Sequence, residues 1–321
     1  MPRPPFEITP AVLRLCADIE RTIGRIEGIG RPTPSPQLRR RNRIRTIQGS
    51  LAIEGNTLSV EQITAILEGK RVAGPKRDVV EVQNAIVAYE RLGDWQAGSM
   101  RSFLAAHTAF MSGLVPDAGK WRSGGVGIFR GNKVAHVAPQ ARRVPVLMRE
   151  LFAFVRKQRA TPWVTAAVFH YELEFIHPFS DGNGRMGRLW QQVIMAEHDP
   201  VFAAISIESL VEKRQRDYYR ALRASDAAGS STAFVEFSLR VVADAIRELA
   251  DELRPSKLSG DDRVIAALAH FGQRWFTRAD YLRLHSISSA TASRDLRRGI
   301  EQGQLTRTGD RRTARYRAAR P

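Results

Sequence analysis

Apolar residues recur at intervals of three and four along most of the chain, and this spacing constrains the fold more than any other feature. One stretch places Val164, Val168, Tyr171 and Phe175 along one side of a helix. Short breaks rich in Gly, Pro and polar residues separate such stretches, so that one helix ends before the next begins. The pattern predicts an all-α fold.

The composition is that of a folded protein with a core of substantial size. Of the 321 residues, 43% are hydrophobic. A chain of this length is expected to form one large domain and a smaller one. No uncharged apolar run approaches the roughly 18 residues that span a bilayer, and the first residues lack an apolar signal core. The single cysteine, Cys16, has apolar neighbours and is expected to pack on a helix face. We therefore expect a cytoplasmic protein with no membrane partner.

Two helix boundaries are predicted by residues with known capping roles. Ser59 and Gln62 have the spacing of a capping box. Thr161, which is followed by a proline, should open another helix, and Pro178 should force His177 out of helical geometry. His177 is thus predicted at a helix end.

Residues 126–137 depart from the helical pattern. Two β-prone arms, the first of which contains Ile128 and Phe129, flank the pair Gly131-Asn132. Such a pair is typical of a tight hairpin turn, so a β-hairpin is predicted here.

Residues 177–188 read HPFSDGNGRMGR and combine the residue types that a phosphate site needs. Gly182 and Gly184 allow successive backbone N–H groups to face one concavity at the start of the next helix, where anions bind. Arg185 and Arg188 are three positions apart and share one helix face. Asp181 offers oxygen ligands of the kind that Mg²⁺ prefers.

Each of these pieces alone is weak evidence, because a DGNG turn is usually only a loop and paired arginines usually face solvent. Their combination closely resembles the Fic family, whose motif HPFxDGNGRxxR is matched at every defined position. The resemblance covers residues 40 to 240 and implies a Fic-like helical core with the hairpin as a flap. Most members transfer AMP from ATP to a Ser, Thr or Tyr hydroxyl of a protein, so ATP is the implied co-substrate.

The resemblance also implies roles for the residues of the motif. His177 would be the general base that removes the proton of the target hydroxyl, and Asp181 would orient Mg²⁺ between the phosphates. Ile128 and Phe129 of the flap would align the target segment by strand addition. The phosphates would be bound by Asn183 and the backbone of Gly182 and Gly184 (α and β), and by Arg185 and Arg188 (outer phosphates).

Upstream, residues 50–55 read SLAIEG and match the family's inhibitory signature, which is Ser or Thr, three variable residues, Glu, then Gly or Asn. Ser50 and Glu54 lie four apart on a helix, and Gly55 suits a left-handed helix end. The resemblance implies that Glu54 pairs with Arg188 in place of the γ-phosphate. In some relatives this glutamate also activates water for the removal of AMP. The alternative is a capped amphipathic helix without a regulatory role.

A different enzyme class is also open, because His170, Glu174 and His177 have the spacing of metal ligands on one helix face. Pro178 weakens this alternative, since it should turn His177 away from the helix. A metal triad would also leave the DGNGR segment unexplained.

The last fifth of the chain is disproportionately basic. The whole chain has a net charge of +17, and the segment from residue 261 onward contains 13 basic and 6 acidic residues. Residues 276–298 read as helix, turn and helix, and residues 304–316 as a two-stranded wing, which together predict a winged helix. Arg294, Arg297 and Arg298 could meet DNA phosphates. The chain could then be a DNA-binding regulator with a secondary or sensing Fic core.

The alternatives for this module are presentation of targets and self-association as a homodimer. The target could also be the chain itself. Overall we expect four parts: an N-terminal helical segment with the inhibitory helix (1–98), a Fic catalytic core (99–254), a linker (255–260) and a winged helix (261–321).

Overall fold

The structure is a computed structural model that describes residues 4–28, 34–125, 127–130, 133–157, 160–253, 259–310 and 313–319. The chain divides into two compact units, Met1–Leu253 and Arg254–Pro321. The first unit is helical apart from one hairpin, which confirms the predicted fold class. Among the described residues, none of the helices combines the length and apolar character needed to cross a bilayer.

The helices of the first unit follow one another in the order of the chain. They are α1 (Pro10–Gly28), α2 (Pro36–Ile53), α3 (Val60–Leu67), α4 (Lys76–Glu90), α5 (Met100–Met111), α6 (Val144–Lys157), α7 (Pro162–Ile176), α8 (Asn183–His198), α9 (Ile207–Lys213), α10 (Gln215–Ala228) and α11 (Thr232–Leu253). Short 3₁₀ turns cover Leu92–Asp94, Ala141–Arg143 and Pro200–Ala204.

Helices α7 and α8 lie at the centre of the first unit. Thr161 caps α7 by accepting from the N–H of Val164, as predicted, and most residues of both helices are buried. Aromatic side chains lock α5 against α8, since the rings of Phe103 and Trp190 meet edge to face with centroids 4.9 Å apart. The loop between α7 and α8, which carries the HPFSDGNGRMGR residues, is therefore anchored at both ends in a rigid core.

Helix α2 is buried on more than one side. Ser50 is fully buried, and a Cβ on Gly49 would lie only 2.7 Å from the backbone of Glu208 on α9. Glycine is required there because the two helix backbones touch. Glu54 follows the last turn of α2, and Gly55 then adopts a φ of +92°.

The predicted hairpin is present as strands β1 (Gly127–Arg130) and β2 (Lys133–Val137), which pair antiparallel. Ile128 pairs with His136 and Phe129 with Val134, so an irregularity in register separates the two pairs. The side chains of Ile128 and Phe129, and the predicted Gly131-Asn132 turn, lie outside the described residues.

The second unit combines helices with a small antiparallel sheet of strand order β3-β5-β4. Its elements are α12 (Gly260–Phe271), β3 (Phe276–Thr277), α13 (Arg278–His285), α14 (Ser289–Glu301), β4 (Leu305–Thr308) and β5 (Arg315–Ala318). Most of the predicted linker 255–260 lies outside the described residues. Its last two positions start α12, because Ser259 and Asp262 form a capping box.

Candidate active site

His177, the candidate general base, stands directly after α7. Its backbone is left-handed, with φ 50° and ψ 61°, and its N–H donates to the carbonyl of Leu173 at 2.8 Å. A residue with a Cβ adopts this conformation at a cost of about 1–2 kcal/mol, so other contacts must hold it there. Pro178 cannot continue the helix, and the chain turns into the loop of residues 178–182.

Two residues shape this loop. Both ends of the Asn183 amide bond to the backbone of Phe179, with Oδ1 accepting at 2.9 Å and Nδ2 donating at 3.0 Å. Gly182 has a φ of +86°, and a Cβ there would lie 2.7 Å from Sδ of Met111. The side chain of Asn183 therefore braces the loop. Its predicted contact with the phosphates stays a prediction, as does that of the backbone N–H groups that open α8.

The first turn of α8 is covered by two carboxylates. A Cβ on Gly184 would collide with Oε1 of Glu54 and would lie 3.3 Å from Oε1 of Glu174. The N-terminus of a helix favours anions, because its unpaired N–H groups carry partial positive charge. The carboxylates of Glu54 and Glu174 therefore lie beside this end of α8.

Glu54 reaches this place through Arg188. Nη2 of Arg188 donates to Oε1 of Glu54 at 2.7 Å, and Nη2 and Nε also donate to the carbonyl and hydroxyl oxygens of Ser50 at 2.9 and 3.2 Å. The Arg188 side chain is 2% exposed, but that of Glu54 is 34% exposed. Burial opposes the charge of Arg188, yet the adjacent Glu54 more than compensates and raises its pKa. The signature residues Ser50 and Glu54 thus hold one buried arginine.

A second charged network surrounds Asp181. Its Oδ1 accepts from Nη2 of Arg185 and its Oδ2 from Nη2 of Arg77, both at 2.8 Å. Glu81 on α4 completes the network by accepting from Arg185 at 3.1 Å and from Arg77 at 3.3 Å. Burial opposes the ionisation of Asp181, but Arg185 and the N–H of Gly182 lower its pKa. Arg185 thus holds the Asp181 carboxylate in place, and its predicted binding of the outer phosphates stays a prediction.

The donors around Asp181 suit magnesium held jointly with a nucleotide. The Asp181 side chain is 36% exposed and lines the cavity, so a carboxylate oxygen can reach a cation there. Mg²⁺ is usually held by one or two carboxylates together with substrate phosphates and water. Within the described residues, no three His, Cys, Asp or Glu side chains are grouped to hold a metal ion by themselves.

The alternative triad is not assembled. Nδ1 of His170 lies 2.6 Å from Oε1 of Gln191, and its Nε2 lies 3.2 Å from the hydroxyl of Tyr218. That hydroxyl donates to Glu174 at 3.1 Å. His170 therefore belongs to a buried hydrogen-bond network, and the turn after α7 separates His177 from it.

His177, Asp181 and the first turn of α8 open into one cavity of about 480 Å³. The lining also includes aromatic and apolar side chains, those of Tyr171, Phe175, Tyr219 and Leu222, and Asp226, which accepts from the Tyr171 hydroxyl. Of the two arginines of the motif, neither lines this cavity, since both are buried and bonded to carboxylates. The remaining lining residues are Glu54, Glu174, Ser180, Gly182, Asn183, Gly184, Gln215, Tyr218 and Arg223.

Sequence reasoning missed His107, which packs against the loop of residues 178–182. Its ring stacks on Phe179 with centroids 3.5 Å apart and planes 4° apart. The N–H of Gly119 donates to Nδ1 at 2.8 Å, so the ring proton is on Nε2, which lies 3.0 Å from the carbonyl of Asp181. Burial lowers the pKa of His107 to about 4, which keeps the ring neutral. In the sequence His107 looks like any residue on an apolar helix face.

Comparison with known proteins agrees with this geometry. Residues 99–195 match the profile of the Fic/DOC family. The fold superposes on that of a Fic family protein from Desulfovibrio desulfuricans with a TM-score of 0.75, at 42% identity over 100% of this chain and 99% of the other. A Fic domain containing signaling protein from Bacteroides thetaiotaomicron, 20% identical over 74% of this chain and 100% of its own, has the same fold with a TM-score of 0.62.

Among curated proteins, the chain resembles insect proteins named protein adenylyltransferase Fic. It is 28% identical over 222 residues to that of Drosophila yakuba and 28% identical over 212 residues to that of Aedes aegypti. These matches include 64% and 60% of this chain but only 40% and 39% of the relatives. The chain thus spans about two fifths of the length of these relatives.

Proposed function

The chain belongs to the Fic family, and we propose that it is a protein adenylyltransferase that moves AMP from ATP to a Ser, Thr or Tyr hydroxyl. One observation carries the proposal above the others. His177, Asp181 and the first turn of α8 line one cavity, whose lining also includes aromatic side chains suited to a nucleobase. A base, a cation ligand and an anion site thereby share one space.

The transfer follows from the positions of these groups. His177 accepts the proton of the target hydroxyl while that oxygen attacks the α-phosphorus, and pyrophosphate leaves. The N–H groups at the start of α8 hold the α- and β-phosphates, and Arg188 binds the γ-phosphate. Magnesium bound at Asp181 would neutralise phosphate charge. The chain's own contribution is alignment and charge stabilisation.

Autoinhibition is part of the proposal, because Glu54 occupies Arg188. A nucleotide can still bind while this pair persists, but its γ-phosphate lacks its partner and the α-phosphorus is not aligned with the attacking hydroxyl. Departure of Glu54 from Arg188 switches the transfer on. In its inhibitory position the same carboxylate lies beside the anion site, where it could activate water for removal of AMP from a modified target.

The target segment docks on the hairpin. Within the described residues, β1 pairs only with β2, which supports strand addition to an outer edge. Main-chain hydrogen bonds give affinity with little sequence preference.

The test uses a freed enzyme. Glu54→Gly is incubated with Mg²⁺ and ATP, GTP, CTP or UTP in turn, alone and with lysate proteins, and intact masses are measured. The expected result is a gain of one AMP on the enzyme or on another protein, with ATP alone among the four. The double variant Glu54→Gly/His177→Ala is the matched control. A gain from another nucleotide would correct the donor, and no gain from any would contradict the transferase assignment.

A second function, DNA binding by residues 261–321, is favoured by one specific feature. Helices α12 to α14 with the sheet β3-β5-β4 have the element order of a winged helix, and Arg294 and Arg297 are exposed on α14. If these arginines meet phosphates, duplex affinity of the whole chain should fall steeply with salt. Arg294→Ala/Arg297→Ala should flatten that dependence by about two counter-ions. If the parent and the double variant show the same salt dependence, these arginines do not contact DNA phosphates, and contact with proteins is the remaining role for this unit.

A further inference from the structure

Arg122 is a buried arginine that the proposed reaction does not yet use. It lies between α5 and β1 and is 4% exposed. In the described part of the chain no carboxylate stands at ion-pair distance from it. Its side chain donates to backbone carbonyls instead: Nε to His177 at 2.7 Å, Nη1 to Gly124 at 2.8 Å, and Nη2 to Pro139 at 2.5 Å and Ile176 at 3.4 Å.

Burying a cation without a carboxylate is unfavourable, and the burial lowers the pKa of Arg122. The converging carbonyls offset part of this cost. Those of Ile176 and His177 lie at the C-terminal end of α7, where carbonyls lack helical partners and carry partial negative charge. A cation at this place stabilises the helix end and the left-handed backbone of His177 together.

The other two carbonyls belong to the hairpin. Gly124 precedes β1 and Pro139 follows β2, so the planar guanidinium group joins both ends of the flap to the peptide of His177. The backbone of Arg122 adds a further link, since its N–H donates to the carbonyl of Pro178 at 2.9 Å. The docking strand and the proposed base are therefore held by one side chain.

We propose that Arg122 is a positioning residue that sets the His177 imidazole against the flap, so that the hydroxyl of a docked target meets the base. The inference rests on the proposed transfer and adds a residue to it. Arg122 does not line the cavity and acts through two backbone segments. Only a planar group with several N–H donors can serve carbonyls on both sides at once, so lysine is an incomplete replacement.

The test compares Arg122→Lys and Arg122→Met, each in the Glu54→Gly background. Arg156→Met is the matched control, because Arg156 also donates to a backbone carbonyl, that of Gly98 at 3.0 Å, but on the exposed surface. The measurements are kcat, the KM for a target peptide, ATP affinity by calorimetry, and hydrogen–deuterium exchange of peptides covering residues 122–140 and 174–182.

Displacement of a reacting group by about 1 Å can cost roughly a hundredfold in rate. We therefore expect kcat to fall about tenfold in Arg122→Lys and about a hundredfold in Arg122→Met, with a raised target KM and ATP affinity within about threefold of the parent. Exchange should rise in both peptides together. Arg156→Met should match the parent throughout.

Three outcomes would overturn the inference. Unchanged kcat and target KM in both variants would show that Arg122 does not position His177 against the flap. A loss of ATP affinity as large as the fall in kcat would show that Arg122 has a purely structural role. Unfolding of Arg122→Lys at the assay temperature would show the same. Exchange that rises in only one peptide would show that the two segments are not linked. If the parent enzyme itself transfers nothing, the proposed function fails, and the exchange data alone still decide whether Arg122 links the flap to His177.

Discussion

Glu54 and Arg188 are 134 positions apart in sequence, and Oε1 of Glu54 lies 2.7 Å from Nη2 of Arg188. The two partners are unequally placed, because Arg188 is almost fully buried while about a third of the Glu54 side chain faces solvent. Arg188 is further held by Ser50. Glu54 can therefore leave for water while Arg188 stays in position, which makes the glutamate the moving part of the proposed brake.

Removing Glu54 should activate the enzyme. A charge-assisted hydrogen bond contributes roughly 1.5–3 kcal/mol, so Glu54→Gly should raise transfer by about one to two orders of magnitude. In a double-mutant cycle the gain should vanish when Arg188 is Ala, because the blocked contact no longer exists. Initial rates of AMP incorporation provide the measurement.

Glu68→Gly is a matched control for this prediction. Glu68 caps α3 with backbone angles of −89° and 8°, against −90° and 4° for Glu54, and it also pairs with an arginine, Arg40. Its removal should leave the rate unchanged. Net modification could also rise because AMP is removed more slowly. Incubating each enzyme with purified modified target in the absence of ATP measures the rate of AMP removal by itself. If Glu54→Gly changes neither the rate of transfer nor the rate of AMP removal, residues 50–55 are only a capped helix without a regulatory role.

His177→Ala should abolish transfer while leaving nucleotide binding nearly intact. Loss of a general base costs roughly a hundredfold or more in rate, whereas the anion site at the start of α8 keeps its N–H groups. Calorimetric titration with ATP and Mg²⁺, beside a transfer assay in the Glu54→Gly background, separates the two effects. Retention of the parent rate would exclude His177 as the base.

Asp181 and Arg77 should have opposite effects on magnesium. Asp181→Ala or a chelator should stop transfer, because the triphosphate loses its counter-ion and alignment. Arg77 occupies Oδ2 of Asp181 from a side chain that is 59% exposed, so the contact is worth at most about 1 kcal/mol. Arg77→Met should therefore lower the Mg²⁺ concentration needed for half-maximal transfer by up to about fivefold. A requirement that rises instead would mean that Arg77 helps to bind the phosphates.

His107 should make the fold sensitive to acid. Its pKa is lowered to about 4, so the unfolded chain takes up a proton near pH 6.5 and the folded chain does not. The stability it contributes as a neutral ring is complete above about pH 6.5 and is lost as the pH falls toward 4, with about 2 kcal/mol gone at pH 5. His107→Gln should be less stable at pH 7 but should lose less between pH 7 and pH 5.

Urea unfolding at several pH values measures this slope. His198→Gln is the control, because His198 is an exposed histidine at the end of α8. The same slope in His107→Gln and in the parent would show that the ring does not titrate with folding.

Residues that act within one stretch of chain could be predicted from the sequence. The helical class follows from apolar spacing, and the end of α7 from Pro178. The candidate anion site was predicted from the glycines and arginines of residues 177–188. In the proposed inhibitory segment, Ser50, Glu54 and Gly55 were singled out because their spacing forms a short recognisable string. These features depend on local geometry, which neighbouring residues largely determine.

Tertiary structure decided which groups meet across the chain. Arg77 and Glu81 reach Asp181 and Arg185 over 104 positions, and the stacking of His107 on Phe179 has no counterpart in local spacing. It also showed a partner that local spacing does not predict, since the Asn183 amide bonds to the backbone of Phe179. A side chain's partners depend on which helices pack against it, and that packing is set by the burial of the whole core. The sequence by itself thus determined the elements and the chemical types of the site, while only the tertiary structure decided that a buried arginine bonded to backbone carbonyls, Arg122, would join the flap to His177.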